Sequence, residues 1–429
     1  MNYSVTYIPK PKKIKWKLWV SLFIVVTIGL YVTYQIHHQR QQDAITTYGI
    51  CGFTNKQTRQ KIKNSLNSMP VSEHLYYGET LNLFHEPFVL NQKDFFHGKT
   101  LTLVNVCNGL DYAYVLEKKV DGQIPLETLE PGYYEVYVND NFKAYRLYFN
   151  EKRYDTFYTV TRNQTNRKIE VIADQSLFKE EQEENYLDKH YMFIKVSEEM
   201  ASDEHYDVIL DPGHLTKDDG WLEKGITVND LNEAEETYKL AVLMKKYLEE
   251  AGLKVLITRD DQSFVNSYGK DGRLYKAYSA HGKYFIELQL KASTNPSIRG
   301  TQVIHSSFSS NKLASSILES ITSRTNLVAT ANRGKGKVYG VLASVVDQGF
   351  DGRMMIRESG GKILGAGLYS QRSRNENGTF NAESPYGMQA VTIEYIYMSN
   401  AEDVEVWKHH LDDVAASTVH GLLVYLGIE

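Results

Sequence analysis

At 429 residues the chain is too long for one ordinary core and is expected to divide into two or three domains. Hydrophobic residues at 42% and charged residues at 24% exclude wholesale disorder, and a net charge of −5 excludes the basic footprint of a nucleic-acid binder. Tyrosine is abundant at 31 copies, a bias shared by half-buried strand positions and carbohydrate-facing surfaces.

Residues 1–17 form a basic segment with Lys10, Lys12, Lys13, Lys15 and Lys17, and no acidic residue occurs before residue 41. Leu18–Ile36 follows as an uncharged apolar run of about 19 residues, enough at 1.5 Å per residue to nearly span a ~30 Å hydrocarbon core. Trp16 and Trp19 stand where interfacial aromatics belong, and only Arg40 follows closely. The positive-inside rule therefore puts the N-terminus in the cytoplasm and the bulk of the chain outside a cell membrane. A cleaved signal peptide has the same order of regions, but this run ends in Tyr34-Gln35-Ile36-His37-His38 rather than a small-x-small site, which favours an uncleaved anchor. In an oxidising exterior Cys51 and Cys107 could pair, although Cys107 also reads as a small core residue in the apolar run Leu101–Cys107.

Residues 37–70 are polar and read as a stalk, with a short helix at Asn55–Leu66. Residues 71–173 change to short strand-like runs, among them Thr100–Val106, Tyr133–Val138, Tyr145–Phe149 and Lys168–Ile172, with a hairpin turn at Asn139-Asp140-Asn141. Six or more such runs predict a small β-sandwich, read as a spacer or a module that docks protein partners. Residues 174–205, with Lys179-Glu180-Glu181-Gln182-Glu183-Glu184, read as a linker. From 206 to 429 strands alternate with helices: a strand at Asp207–Leu210, an amphipathic helix from Glu233 to Gly252, strands at Lys254–Thr258, Tyr284–Leu290 and Gly300–His305, a helix at Leu313–Thr325, a strand at Ala390–Tyr397 and a last helix at Asp403–Leu426. That alternation predicts an α/β layered domain with its ligand near the strand ends.

Three places in this region carry chemistry. Asp211-Pro212-Gly213-His214 follows the first strand, and a Pro-Gly turn there can aim the imidazole into a cleft. Glu233 opens the amphipathic helix after Asn232, where an acid also serves the helix dipole and Glu235 completes a capping pattern. Glu394 stands inside the apolar strand Val391-Thr392-Ile393-Glu394, and a buried carboxylate there requires a partner or a metal.

In this order, with Leu256-Ile257-Thr258-Arg259 and with Ile393-Glu394-Tyr395-Ile396-Tyr397-Met398-Ser399-Asn400-Ala401-Glu402-Asp403, the segment from Tyr206 to Leu426 resembles the amidase-3 family of zinc-dependent N-acetylmuramoyl-L-alanine amidases, of the DPGH type. The resemblance implies a mixed-sheet α/β amidase-like domain in which His214 and Glu233 ligate Zn2+ and Glu394 is the catalytic carboxylate. It also implies hydrolysis of the amide between N-acetylmuramic acid and L-alanine in peptidoglycan by zinc-activated water. Asp211 would orient a ligand. One position departs from the pattern. The family's third ligand is a His in a strand reading like FISIHANA, and the matching Phe285-Ile286-Glu287-Leu288-Gln289-Leu290-Lys291-Ala292 has Gln289 there. An amide oxygen is a poor zinc donor, so Gln289 marks a degenerate ligand position. His281 and His305 are the nearest spare imidazoles, and neither clearly reaches the site by register. The segment from Arg333 to Gly387 holds Arg353, Arg357, Glu358 and several glycines; Arg357 and Glu358 are candidate substrate-binding residues, with arginines meeting the carboxylates of the peptide stem. Two readings stay open: a membrane-anchored zinc amidase, or an impaired amidase-like domain that binds peptidoglycan or regulates a partner hydrolase.

Overall fold

The computed structural model describes residues 27, 29, 31, 32, 34, 67–77, 80–87, 94–106, 108–116, 124–125, 129–160, 165–175, 188–200, 205–218, 220–267, 271–307, 309–334, 338–344, 346–347, 350–353, 355–356, 363–364 and 388–429. Within Leu18–Ile36 the described residues Thr27, Gly29, Tyr31, Val32 and Tyr34 are helical. Among the described residues no helix is long and apolar enough to cross a membrane. The predicted helix at Asn55–Leu66, Cys51, Cys107, Arg357 and Glu358 lie outside the described residues.

The N-terminal region is built from two sheets. In the larger, the strands Ser68–Pro70, Lys143–Phe149, Gly132–Asp140, Phe193–Met200, Thr165–Ala173 and Arg153–Val160 lie in that order, and Thr100–Asn105 and Asp111–Val115 branch from Gly132–Asp140. The predicted hairpin is there, its turn shifted to Asn141-Phe142, whose φ values of 48° and 63° are those of a two-residue turn matched to strand twist. The smaller sheet joins Glu73–Tyr77 and Thr80–Phe84, with Ile363–Leu364 from the C-terminal half pairing antiparallel to Glu73–Tyr77. Leu81 and Leu83 of the small sheet share one core with Leu101, Leu103, Val136 and Leu147 of the large one.

Two boundaries expected from sequence move. Phe193–Met200 is no part of a linker: it pairs with both Thr165–Ala173 and Gly132–Asp140. Met192, Phe193, Ile194 and Val196 are buried there, so their apolar content outweighs the acidic composition of the stretch before them. Ser68–Pro70, expected in the stalk, is likewise a strand parallel to Lys143–Phe149.

The C-terminal region is a six-stranded sheet with strands β1 (Val208–Pro212), β2 (Val255–Ile257), β3 (Tyr284–Lys291), β4 (Gln302–His305), β5 (Val341–Ala343) and β6 (Gln389–Tyr397), in the order β2-β1-β3-β6-β4-β5. All neighbours are parallel except β4 against β6, so the sheet is mixed as expected. Helices α1 (Glu233–Glu250), α2 (Arg273–Ser279), α3 (Lys312–Arg324) and α4 (Ala401–Leu426) cover it. In α1, Leu240, Met244 and Leu248 repeat every four residues and are fully buried, and Asn232 Oδ1 accepts from Glu235 N at 3.2 Å, a cap typically contributing about 1 kcal/mol.

Strand alternation sorts the two faces of the sheet. Val208 and Leu210, Tyr284, Ile286, Leu288 and Leu290, and Val391, Ile393 and Tyr395 join α1, α3 and α4 in the main core. The opposite face begins as a small apolar floor of Ile209, Phe285 and Ala390 under Leu274, Ala277 and Tyr278 of α2. Two and four residues further along the same strands, that face turns polar: Asp211 on β1, Glu287 and Gln289 on β3, Thr392 and Glu394 on β6. This polar row places the site.

Candidate active site

The row is assembled by register. Asp211 stands opposite Glu287, Glu287 opposite Thr392, Gln289 opposite Glu394, and Glu394 opposite Gln302 of β4. Glu287, Asp211, Thr392 and Glu394 are all buried, so each needs a partner inside the protein.

At the β1 end, the chain leaves the sheet through Gly213 and His214. His214 has φ +66° and Leu215 φ +48°, left-handed conformations that a side chain normally avoids and that cost on the order of 1–3 kcal/mol each. Two arginines hold the carbonyls of this turn. Arg259 donates to the Pro212 carbonyl at 2.9 Å, the Gly213 carbonyl at 2.7 Å and the Ala234 carbonyl at 2.8 Å, tying the turn to α1. Arg273 donates to the Pro212 carbonyl at 3.1 Å and to the His214 carbonyl, and it lies 3.5 Å from Asp211 Oδ1. Burial, with Arg273 close by, pulls the Arg259 guanidinium down to about 10. Asp211 also accepts from Thr258 Oγ1, so its role is to brace the strand end beneath the turn.

The turn delivers the imidazole between two carboxylates. His214 Nδ1 lies 2.8 Å from both oxygens of Glu223, and Nε2 lies 2.8 Å from Glu233 Oε1, a close contact off the line of a good hydrogen bond. Glu233 Oε1 also accepts from Leu290 N at 3.0 Å, which joins the first turn of α1 to the end of β3. Burial works against the charged imidazole, but the close carboxylate of Glu233 and the hydrogen-bonded carboxylate of Glu223 outweigh it and raise the His214 pKa. Gly225 makes the arrangement possible: with φ +74°, it has no side chain where a Cβ would fall 2.9 Å from His214 Cγ and 3.2 Å from Glu233 Cβ.

Gln289 and Glu394 occupy the other half of the cleft. The approach between halves is close, since a Cβ on Gly213 would lie 3.2 Å from Gln289 Cγ. Gln289 Nε2 donates to Glu287 Oε1 at 2.6 Å, and its Oε1 accepts from Arg353 Nη2. Arg353 Nη1 donates to Glu394 Oε1 at 3.0 Å and its Nε donates to Thr392 Oγ1 at 3.1 Å. Glu394 Oε2 lies 3.2 Å from Lys291 Nζ and accepts from Gln302 Nε2. Burial pushes the Glu287 carboxyl up, Arg353 pulls it back, and neighbouring Asp211 raises it further.

The structure thus brings His214, Glu233, Gln289 and Glu394 together at one end of the sheet. His281, with φ +50°, lies in the turn before β3, at the opposite end of that strand from Gln289. His305 pairs in register with Val391, its Nδ1 held 2.8 Å from the Ser306 carbonyl, and burial pulls it down to about 4. Neither stands at the position to which the resemblance assigns a third imidazole. The segment from Arg333 to Gly387 was expected to bring arginines to the carboxylates of a peptide stem; in the structure the Arg353 guanidinium pairs with Glu394 and Gln289. Glu223, Glu287, Lys291 and Arg273 were missed. For Glu287 and Lys291 the signal was present, because Glu287, Gln289 and Lys291 alternate with Leu288 and Leu290 and so share one face.

A catalytic zinc is held by three protein nitrogen, oxygen or sulfur ligands with an open fourth position. Here the fit is partial. His214 and Glu233 suit such a site, since Nε2 faces Glu233 Oε1 at 2.8 Å without a good hydrogen bond and Nδ1 is held by Glu223, the support a ligating imidazole usually has. Gln289 does not suit it, because its amide oxygen is held by the Arg353 guanidinium. Among the described residues, no three His, Cys, Asp or Glu side chains are grouped so as to hold a metal ion.

A mixed sheet with an Asp-Pro-Gly-His turn at one strand end and a helix-opening glutamate beside it defines an amidase-like α/β domain. The match to the N-acetylmuramoyl-L-alanine amidase family runs over residues 208–424, half of the chain, and the chain belongs to that family. Solved structures similar to it include the catalytic domain of CwlV, N-acetylmuramoyl-L-alanine amidase from Bacillus (Paenibacillus) polymyxa var. colistinus, at 19% identity over 52% of this chain and 99% of that one, with a TM-score of 0.36. The amidase AmiC2 of Nostoc punctiforme is similar at 20% identity over 52% and 97% of the two chains, TM-score 0.35. The CwlD amidase from Clostridioides difficile, in complex with the GerS lipoprotein, is similar at 15% identity over 52% and 100%, TM-score 0.36. No curated protein matches the chain.

Proposed function

We propose that this chain acts at peptidoglycan, and that its C-terminal domain engages the muramoyl–L-alanine amide region without hydrolysing it through a metal. Family membership supports the substrate class. The observation that carries the loss of metal chemistry is Gln289, which stands in register with Glu394 at the ligand position and has its carbonyl oxygen held by Arg353. Both oxygens of Glu394 are also committed, to Arg353 and to Lys291 with Gln302, so Glu394 is not poised to take a proton from water. In this reading the apolar run Leu18–Ile36 anchors the protein in the cell membrane with its N-terminus in the cytoplasm. The N-terminal β region then serves as a sandwich-like spacer or docking module for protein partners, and the amidase-family domain reaches the wall outside.

Hydrolysis of the muramoyl–L-alanine amide is the second reading, supported by membership of the amidase family, by the His214–Glu233 contact and by Glu394 close by. One assay separates the two. Full-length protein in detergent is mixed with purified peptidoglycan, and sedimentation is measured beside release of stem peptides with a free L-alanine amino group. Co-sedimentation without release is expected. Release that disappears in Glu394→Ala would establish the hydrolase and sink the binding reading, and failure to sediment would remove the wall as target.

A further inference from the structure

One planar cation, among the described residues, lies against all four acceptor-bearing side chains that β3 and β6 set in the polar row. Arg353 donates to Glu394 Oε1, to Gln289 Oε1 and to Thr392 Oγ1, and its Nε lies 3.6 Å from Glu287 Oε2. Nor is it a surface arm that has fallen inward. Two residues before it, Asp351 is fully buried and accepts from Ser306 Oγ at 2.6 Å and Ser307 N at 2.8 Å. Beyond it, Met355 and Ile356 are buried, Met355 against the Ile209 and Phe285 floor. Arg353 N itself donates to Ser344 Oγ at 3.2 Å. The backbone is therefore fastened on both sides of the guanidinium.

We propose that Arg353 is the resident cation of this cleft: it balances the buried carboxylates in a metal's stead and keeps zinc out even when histidine is restored at position 289. The inference rests on reading the cleft as the family's active site. Its physical basis is twofold. The Arg353 guanidinium takes the amide oxygen that Gln289 would turn toward a metal, and its fixed charge repels a second cation at short range. Because the guanidinium cannot lose its proton under ordinary conditions, zinc cannot displace it by shifting a protonation equilibrium, as it can with histidine or cysteine.

The test uses the full-length chain in detergent and zinc alone as the probe, followed by calorimetric titration and by metal analysis after desalting. Wild type, Gln289→His, Arg353→Met and Gln289→His/Arg353→Met are compared, with His214→Ala added to the double variant as the blank. The double variant should bind zinc at least ~10-fold more tightly than Gln289→His alone, the scale on which losing a supporting group costs a metal site. Wild-type melting should not move on adding a chelator. One tightly held zinc in wild type or in Gln289→His overturns the proposal, as does a folded double variant that binds no better than the blank. If the double variant does not fold, the wild-type and Gln289→His titrations still decide, since both retain Arg353. Peptidoglycan sedimentation of the same samples reports separately on the proposed function.

Discussion

The cleft has two halves built on different principles. Around His214, an imidazole sits between Glu223 and Glu233, held by a strained turn, two arginines and a glycine that leaves it room. Around Glu394, a strand-borne row of Glu287, Gln289, Thr392 and Glu394 is bound together by Arg353 and Lys291. The first half keeps the residues that the family resemblance assigns to a metal. In the second half, the position to which the resemblance assigns an imidazole carries the amide of Gln289, held by the Arg353 guanidinium. The contrast teaches that a sheet end can preserve its register and burial while its chemistry changes, because burial only demands that each carboxylate find a positive or hydrogen-bonding partner. It does not specify which partner.

If the second half depends on its internal cation, removing that cation should have the largest effect. Arg353→Met leaves Glu394 and Glu287 short of a partner, and breaking a buried ion pair from one side typically costs about 3–5 kcal/mol. Urea unfolding should show that loss, and Arg353→Met/Glu394→Gln should recover part of it. Destabilisation below about 1 kcal/mol would mean that the network is a surface feature of little weight.

The next effect is a pH limb shared by neither half. His305 is held neutral, with its pKa pulled down to about 4 by burial. The unfolded chain takes up this proton at about 6.5 and the folded one at about 4, so stability is full above ~6.5 and falls by about 3 kcal/mol as pH drops to 4. Replacing His305 by Gln should flatten melting temperature against pH in that window. An unchanged slope would assign the acid limb elsewhere.

His214 runs the other way. Its raised pKa means that the folded state holds the proton more firmly than the unfolded one. The contribution is fully present below the unfolded value near 6.5 and is lost as pH rises through the folded value. A charged hydrogen bond contributes roughly 1.5–3 kcal/mol, and the partial exposure of the ring places this one toward the lower end. His214→Gln should therefore destabilise the protein at pH 6 and much less at pH 9, and NMR titration of the ring should give the raised value directly. Equal destabilisation at both pH values would make the interaction one of packing rather than charge.

The smallest effect sharpens the geometry. Gly225→Ala puts a methyl against His214 Cγ at a left-handed φ of +74°, and about 1 kcal/mol or somewhat more should be lost in thermal unfolding. The His214 titration should shift with it, because the ring is pushed from its carboxylates. The Arg353 half should be untouched.

Much of the C-terminal fold was legible in the residues. The four-residue apolar repeat of α1, the capping Asn232 and the buried runs of β3 and β6 announce their elements through local spacing. The block Ser399-Asn400-Ala401-Glu402-Asp403 is explained by the structure as a fastening. Asn400 Oδ1 caps α4 by accepting from Glu402 N and Asp403 N at 3.1 Å, while buried Asp403 accepts from Gly300 N at 2.8 Å and Tyr397 N at 3.0 Å. Phe193–Met200 was less legible, because its place between two distant strands depends on pairings that composition does not reveal.

The sequence by itself determined that His214, Glu233 and Glu394 sit at element ends or inside a buried strand, and that position 289 carries an amide rather than an imidazole. Those facts follow from periodicity and residue chemistry, which are local. Only the tertiary structure decided what Gln289 and Glu394 bind. Arg353 lies 64 residues beyond Gln289 and 41 before Glu394, in a segment whose spacing predicts no element. Its guanidinium reaches the cleft because Asp351, Met355 and Ile356 are buried on either side of it. An ion pair formed across such separations is fixed by where the folded backbone passes, and no pattern along the chain encodes that meeting.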